Sequence, residues 1–171
     1  MDMDKEKIYQ SATRQLMRQL DEMNMPRDVR LRAKNFALLF RDSFKLDAVK
    51  YATFYPYIGD DYKLFRYDSY GFCRAASFSF TALMPRGQWR IMYIDERWAY
   101  GPHFFVRHVA TGKNLDLTFD QYTSENITVP YHLGVPVEMN ADGPRIVSRF
   151  LKSAGVDVGD LFKYVKNKDK R

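Results

Sequence analysis

The sequence predicts an α+β protein, in which helices flank an antiparallel sheet. Apolar residues recur at three- to four-residue spacing before residue 45, and apolar and polar residues alternate after Gly87. The predicted helices and strands are segregated along the chain, as is typical of this class. The 171 residues, 46% of them hydrophobic and 28% charged, suit a single domain spanning residues 1–171.

The chain begins with a predicted helical hairpin over residues 5–44. The apolar positions of the first helix, expected at residues 5–24, share one face: Ile8, Ala12, Leu16, Leu20 and Met23. Pro26 is expected in the first turn of the second helix, after a cap at Asn24 or Met25. Its apolar stripe consists of Val29, Ala33, Phe36, Ala37, Phe40 and Phe44. We expect both stripes to pack on the domain's own core, and a protein partner at these helices is the alternative.

The α+β core is expected over residues 51–171. An aromatic segment at residues 51–72 is broken by Pro and Gly and predicts a loop or one wall of a pocket. A buried helix follows from Cys73 to Met84. Strands are predicted at residues 89–94, 103–109 and 114–119, with the last two joined by a turn at Thr111-Gly112. Further predictions are an extended piece at residues 127–131 and helices at residues 144–154 and 159–165.

The composition limits the classes of protein and site that the chain can form. A single cysteine excludes an internal disulfide and a zinc site with several thiolates. The three histidines leave a metal site with carboxylates open, but no ligand spacing is recognisable, so neither a metal nor another cofactor is predicted. No apolar run is long enough to span a membrane. The polar, mixed-charge start predicts no signal or transit peptide, and hence a cytoplasmic protein.

Net charge gives little guidance to a partner. The chain carries a formal charge of +6, and its pI is near 9.3. Most of the basic residues are dispersed, and the obvious cluster is the terminal tail from Lys163 to Arg171. Nucleic-acid binding therefore stays open without being favoured.

The candidate nucleophile is Cys73, the only thiol, at the start of the predicted buried helix. In the first turn it faces unpaired backbone N–H groups and the positive end of the helix dipole, which favour a thiolate. A nucleophile needs a base and a group that orients that base. His103 opens one predicted strand, and Asp116 lies in the next.

Each of these residues also has an ordinary explanation. Cys73 could be an inert core residue, His103 a polar strand end, and Asp116 a partner of Lys113 or Arg107. The strand register is the weakest step, because a hairpin turn at Thr111-Gly112 places Asp116 opposite residue 107, about four residues from His103. Two aromatic residues, Tyr70 and Trp98, are candidates either for the wall of a cleft around the thiol or for the core.

The order of these elements resembles that of the NlpC-type papain-like cysteine hydrolases. More narrowly, the string GKNLDLTFDQY at residues 112–122, together with His103-Phe104 and Gly71-Phe72-Cys73, resembles the YunG-like family over about residues 68–125. The resemblance implies a papain-like core, with the helix that carries the cysteine packed on a small antiparallel sheet. The helical hairpin and the aromatic loop depart from that pattern.

The resemblance also implies acyl transfer on a peptide-like or amide substrate. Cys73 would attack the carbonyl carbon, His103 would act as general base and then acid, and Asp116 would hold the imidazole. No glutamine stands just before Cys73, so Gln121 or the backbone N–H of Cys73 would have to bind the oxyanion.

Two functions therefore remain open at this point. The first is a cysteine hydrolase, a peptidase or amidase with a Cys-His-Asp triad. The second is a catalytically silent α+β binding module for a protein or nucleic-acid partner. The reactivity of the Cys73 thiol discriminates between them, because only the hydrolase requires an activated thiolate.

Overall fold

A computed structural model describes residues 3–54 and 68–157, and over these ranges the chain has an α+β fold. Most of the aromatic segment predicted as a loop at residues 51–72, and the helix predicted at residues 159–165, lie outside the described residues. Within them, the helices pack against a four-stranded antiparallel sheet in the order β3-β2-β1-β4.

The first two helices form the predicted hairpin. Helix α1 is Met3–Glu22 and α2 is Arg27–Phe44, with Pro26 itself at the N-cap position instead of in the first turn. Ion pairs Lys34–Asp21 and Lys45–Glu6 join opposite ends of the two helices, which are therefore antiparallel. The predicted stripes face the core, except that Ile8 is 40% exposed and Tyr9 is buried in its place.

Two helices connect the hairpin to the sheet. The sequence analysis does not predict helix α3, Asp47–Phe54, whose second half opens the aromatic segment expected as a loop or a pocket wall from residue 51. Helix α4, Cys73–Leu83, confirms the predicted buried helix, and Phe72 is its N-cap residue. Phe78 in α4 contacts Phe104 edge to face, with ring centroids 5.4 Å apart, so this helix packs directly on the sheet.

The sheet consists of β1 (Trp89–Ile94), β2 (His103–His108), β3 (Asn114–Leu115) and β4 (Val135–Val137). The first two strands lie where the sequence predicts them. The strand predicted at residues 114–119 is wrong beyond Leu115, since the chain turns there and forms the short helix α5, Asp120–Thr123. The extended piece predicted at residues 127–131 forms no strand: Tyr131 begins a 3-10 helix, and the strand that pairs with β1 is Val135–Val137. Helix α6, Gly143–Ser153, confirms the last described prediction.

The two faces of the sheet pack against different groups of residues. The larger apolar cluster joins both hairpin helices, α4 and α6 to one face. The smaller cluster lies on the other side and is formed by Met92, Ile94, Phe105, Tyr122 and Val129. His103 shares the side of Phe105, because alternate residues of a strand point to the same face. The sheet thus positions His103 next to the smaller cluster.

The helices were also compared with the length and hydropathy of membrane-spanning segments. Across residues 3–54 and 68–157, no helix combines the length and the apolar character needed to cross a membrane.

Candidate active site

Cys73 is the first residue of α4, as the sequence predicts, and its side chain is partly exposed. The first intrahelical bond here joins Ala76 N to Phe72 O, at 2.8 Å. The N–H groups of the preceding residues in this first turn have no acceptor within the helix, so they are available to an anion. The thiol therefore lies beside backbone donors that favour negative charge.

His103 and Asp116 form a buried ion pair. His103 Nε2 lies 2.6 Å from Asp116 Oδ2, and the two residues are 0% and 4% exposed. Their approach follows from a register two residues away from the one expected. Val106 pairs with Leu115, so Asp116 continues opposite Phe105 rather than residue 107. Phe105 is the next residue after His103 on the same face of β2, so this register places Asp116 close to His103.

The pair holds the imidazole in its charged form. Burial alone lowers the pKa of His103, but the negative charge of Asp116 and its hydrogen bond outweigh burial and raise that pKa to about 10. A histidine with this pKa is protonated at neutral pH. The side chain therefore carries a positive charge at a position that is not exposed to solvent.

The Cys73 side chain also contributes to the pKa of the His103 imidazole. The contribution of this nearby side chain raises the pKa of His103 and is smaller than that of Asp116. The other ring nitrogen, Nδ1, is buried and makes no hydrogen bond of regular geometry. Among the described residues, the imidazole is thus hydrogen-bonded through Nε2 alone.

Asp116 is held by three further donors. Its Oδ1 accepts hydrogen bonds from the Thr118 backbone N–H at 3.1 Å and from the Thr118 hydroxyl at 3.2 Å. The Tyr131 hydroxyl donates to Oδ2, 3.1 Å away. Burial, followed by the Asp116 charge, raises the pKa of Tyr131, which stays a neutral donor. Asp116 is thus fixed by a turn and a tyrosine.

The two basic residues considered as alternative partners of Asp116 bind elsewhere. Arg107 Nε donates to Asn114 Oδ1 at 2.8 Å, and Lys113 Nζ donates to the Glu22 carbonyl oxygen at 3.4 Å. The carboxylate is therefore neutralised by His103.

A second buried ion pair fixes the chain just after Asp116. Arg41, on α2, is 0% exposed and binds Asp120 with Nη1–Oδ1 at 2.7 Å and Nη2–Oδ2 at 3.2 Å. Its Nη1 also donates to the Leu117 carbonyl oxygen at 3.1 Å, and its Nη2 to the Tyr9 carbonyl oxygen at 3.0 Å. The bidentate arginine thereby ties the helical hairpin both to the turn after Asp116 and to α5, which carries Gln121.

Cys73 opens onto a cleft with a volume of about 730 Å³. Tyr70 and Gln121, both predicted as substrate-binding residues, line it. Gln121 Oε1 accepts from the Gly71 backbone N–H at 3.3 Å, and its Nε2 donates to the Thr118 hydroxyl at 2.9 Å. The amide is oriented by these two bonds, and its nitrogen retains a second N–H.

Trp98, the third predicted substrate-binding residue, packs behind the site. Its ring centroid lies 5.0 Å from that of Tyr122 and 6.4 Å from that of His103. Tyr122 in turn contacts the His103 ring edge to face at 4.8 Å. Trp98 and Tyr122 thus surround the imidazole with apolar surface, which strengthens its interaction with Asp116.

Sequence reasoning missed the supporting residues Thr118, Tyr131, Arg41 and Asp120. Two signals could have revealed part of this set. The first signal is the Asp-x-Thr sequence that begins at Asp116, because an aspartate side chain in such a turn accepts a hydrogen bond from the backbone N–H two residues later. Arg41 follows Ala33 and Ala37 at four-residue spacing, so an arginine lies on the apolar stripe and requires a buried acid.

Comparison with known proteins gives no relative from which a function could be transferred. No family model matches the sequence, no curated protein matches it, and no solved structure matches the fold. Among the described parts of the chain, no group of three His, Cys, Asp or Glu side chains is placed to hold a metal ion.

Proposed function

We propose that the protein is a cysteine hydrolase that transfers acyl groups through Cys73, His103 and Asp116. One observation carries the proposal: a buried imidazole is bound by a carboxylate through Nε2, 2.6 Å away, and the only thiol of the chain is near enough to contribute to its raised pKa. That thiol begins a helix and borders an open cleft. A merely structural His–Asp pair requires neither the thiol nor the cleft.

The charge of His103 defines the resting state of this reaction. Because the pKa of His103 is raised to about 10, the imidazole carries its proton at neutral pH and favours a thiolate at Cys73. The N–H groups at the start of α4 add to that preference. In this proposal the resting state consists of a Cys73 thiolate, a His103 imidazolium and an Asp116 carboxylate, so that the single positive charge of His103 lies between two negative groups.

The first chemical step forms a thioester. The Cys73 sulfur attacks the carbonyl carbon of an amide, and the developing oxyanion is bound by the backbone N–H groups at the start of α4 and by the second N–H of Gln121. The carbon–nitrogen bond breaks as His103 gives its proton to the leaving amine. His103 is neutral at the end of this step.

Water completes the cycle. Neutral His103 accepts a proton from water as its oxygen attacks the thioester carbon, and the carbon–sulfur bond breaks. The products are a carboxylic acid and the Cys73 thiolate beside protonated His103. Asp116 stabilises the imidazolium at the beginning and end of the cycle and fixes the orientation of the ring.

The order of the elements also supports a papain-like core of the NlpC type, related to the YunG-like family. A cysteine begins a helix that packs on an antiparallel sheet, a histidine begins a strand, and an acid follows the next strand. The helical hairpin would be an addition to that core, tied to it by Arg41. The proposed relationship to papain-like hydrolases also implies an amide or peptide-like substrate.

Alkylation of the thiol by iodoacetamide tests the proposal directly. Cys73 is the sole cysteine, so every alkylated molecule reports on this residue. We expect an alkylation rate that changes little between about pH 6 and pH 9 in the native protein. The alkylation rate of an ordinary thiol rises on the order of a hundredfold over that range. His103→Ala should restore the ordinary dependence. His108→Gln, a buried histidine on the opposite face of β2, is the matched control and should retain the native profile.

Acyl transfer is tested separately with p-nitrophenyl acetate. Mass spectrometry should detect an acetyl thioester on Cys73, and its formation should be lost in Cys73→Ala and His103→Ala. A thiol that alkylates with the ordinary pH dependence in the native protein would overturn the hydrolase and favour the silent binding module.

A further inference from the structure

Helix α2 exposes two leucines on the side that faces away from the core. Leu31 is 50% exposed and Leu38 is 38% exposed, whereas Ala33 and Ala37 on the inner side are fully buried. The two leucines are seven residues apart, which is close to two helical turns, so they lie on one line along the helix. A single exposed leucine needs no explanation, but two on one line form an apolar stripe that can pack against another helix.

Two opposite charges continue this leucine stripe at its ends. Arg27 lies four residues before Leu31, and Asp42 lies four residues after Leu38. Both charged residues are exposed, and neither forms an ion pair within the described residues. Each also lies at the end of α2 that disfavours its charge, because a cation is unfavourable at a helix N-terminus and an anion at a C-terminus. Their placement therefore does not stabilise the helix itself.

The order of cation, leucine, leucine and anion is complementary to itself. When two α2 helices lie antiparallel about a two-fold axis, Arg27 of one copy meets Asp42 of the other, and Leu31 meets Leu38. The axis then passes near Asn35, at the middle of the stripe, and every contact occurs twice. In a parallel pair each charge would face its own copy and repel it. The charges thus select the antiparallel arrangement.

We propose that the outer side of α2 is an interface with a second copy of this chain. The leucine stripes of the two copies pack against each other, and an intermolecular Arg27–Asp42 ion pair closes each end. The inference goes beyond the proposed function and does not depend on the chemistry of Cys73. Because one helix from each copy buries less surface than a standard interface, the dimer is weak, with a Kd on the order of 10–100 µM.

Sedimentation equilibrium of the full chain at concentrations from about 1 to 500 µM measures this Kd. Leu31→Glu should be monomeric over the whole range, because it places a carboxylate in the apolar contact. Leu133→Glu is the matched control, since Leu133 is 53% exposed and lies outside α2, and it should retain the native Kd. Circular dichroism confirms that the exposed substitutions leave the fold intact.

Exchange of the two charges tests the antiparallel register. Arg27→Asp should weaken dimerisation about tenfold or more, because it places two carboxylates against each other at both ends. The double variant Arg27→Asp/Asp42→Arg should recover a Kd close to the native value, since the ion pairs form again with their polarity reversed. Arg27→Asp also lowers the positive net charge of the chain, which reduces the general repulsion between copies. Only a local pairing of Arg27 predicts a weaker dimer.

Three results would overturn the proposal. A native protein that stays monomeric up to about 500 µM would leave the stripe as a bare surface or as a site for a different protein. A dimer that persists in Leu31→Glu would have its interface elsewhere. A double variant that dimerises no better than Arg27→Asp would show that the two charges do not meet across the interface. Loss of the dimer in Leu31→Glu together with recovery on charge exchange would support it.

Discussion

His103 and Tyr131 bind the same carboxylate oxygen of Asp116, at 2.6 and 3.1 Å. The two donors come from different parts of the fold, one from the start of β2 and the other from the turn at Tyr131–Leu133 before β4. The carboxylate is thereby fixed from two directions. Its orientation determines that of the imidazole, and so the position of the second ring nitrogen, Nδ1.

The shared oxygen predicts the effect of Tyr131→Phe. Loss of one hydrogen bond to a buried carboxylate should lower the free energy of unfolding by about 1–2 kcal/mol, because Asp116 retains His103 and Thr118 as donors. Urea denaturation at neutral pH measures this change. Tyr100→Phe, at an exposed position, is the control and should be close to neutral. Equal losses in the two variants would contradict a role for the Tyr131 hydroxyl.

Replacement of Asp116 by Asn should change how stability depends on pH. The pKa of His103 is raised from 6.5 to about 10 in the folded protein, so its protonation stabilises the fold fully below about pH 6.5. That contribution is lost as the pH rises through 10. In Asp116→Asn the charge that raises the pKa is absent, and burial alone favours neutral imidazole.

We therefore expect the difference in unfolding free energy between native protein and Asp116→Asn to shrink from pH 6.5 towards pH 10. Urea denaturation over this pH range measures it, and NMR titration of the His103 ring gives an independent value. A constant difference across the range would show that His103 is not charged in the folded state.

The buried Arg41–Asp120 pair predicts a large and recoverable loss of stability. Arg41→Met should cost about 3–5 kcal/mol, because it leaves the Asp120 carboxylate buried without a counterion. Adding Asp120→Leu should restore most of the loss, since no unpaired charge then remains. Lys34→Met, which breaks a more exposed ion pair on the same helix, should cost about 1 kcal/mol or less. A double variant as unstable as Arg41→Met alone would contradict the explanation by charge burial.

Gln121→Ala should separate acyl transfer from alkylation. Attack on p-nitrophenyl acetate develops an oxyanion, and loss of one donor to it typically slows the reaction by about 10²–10³. Alkylation by iodoacetamide develops no oxyanion and should be affected much less. Stopped-flow rates with both reagents measure the contrast. Equal slowing of the two reactions would indicate that Gln121 only positions Gly71 and the thiol.

The α+β class, the hairpin, α4 and the two long strands could all be predicted from the sequence, because hydrophobic periodicity is strong in these segments. The end of β3 could not. Residues 115, 117 and 119 are apolar, as in a strand, but the Asp116 side chain accepts the Thr118 backbone N–H and turns the chain. A local side-chain bond thus replaces the strand ladder that periodicity predicts.

The candidate site, like the fold, could be predicted from the sequence only in part. The residue types at Cys73, His103 and Asp116 could be selected from the sequence, whereas the contact between the last two depended on a register that no pattern fixes. A shift of two residues in the β2–β3 pairing turned a separation of about four residues into a neighbouring position. Tyr131 could not be foreseen, because it reaches Asp116 from a turn that was predicted to be extended.

The arginine that joins α2 to the turn after Leu115 has a consequence for any shortened form of this protein. A chain that starts after Phe44 would lose Arg41 and expose the apolar surface that both hairpin helices cover. It would also keep a buried aspartate with no counterion directly beside the segment that orients Asp116. The hairpin is accordingly part of the folding unit, and expression of the sheet and α4 alone should yield an aggregating polypeptide.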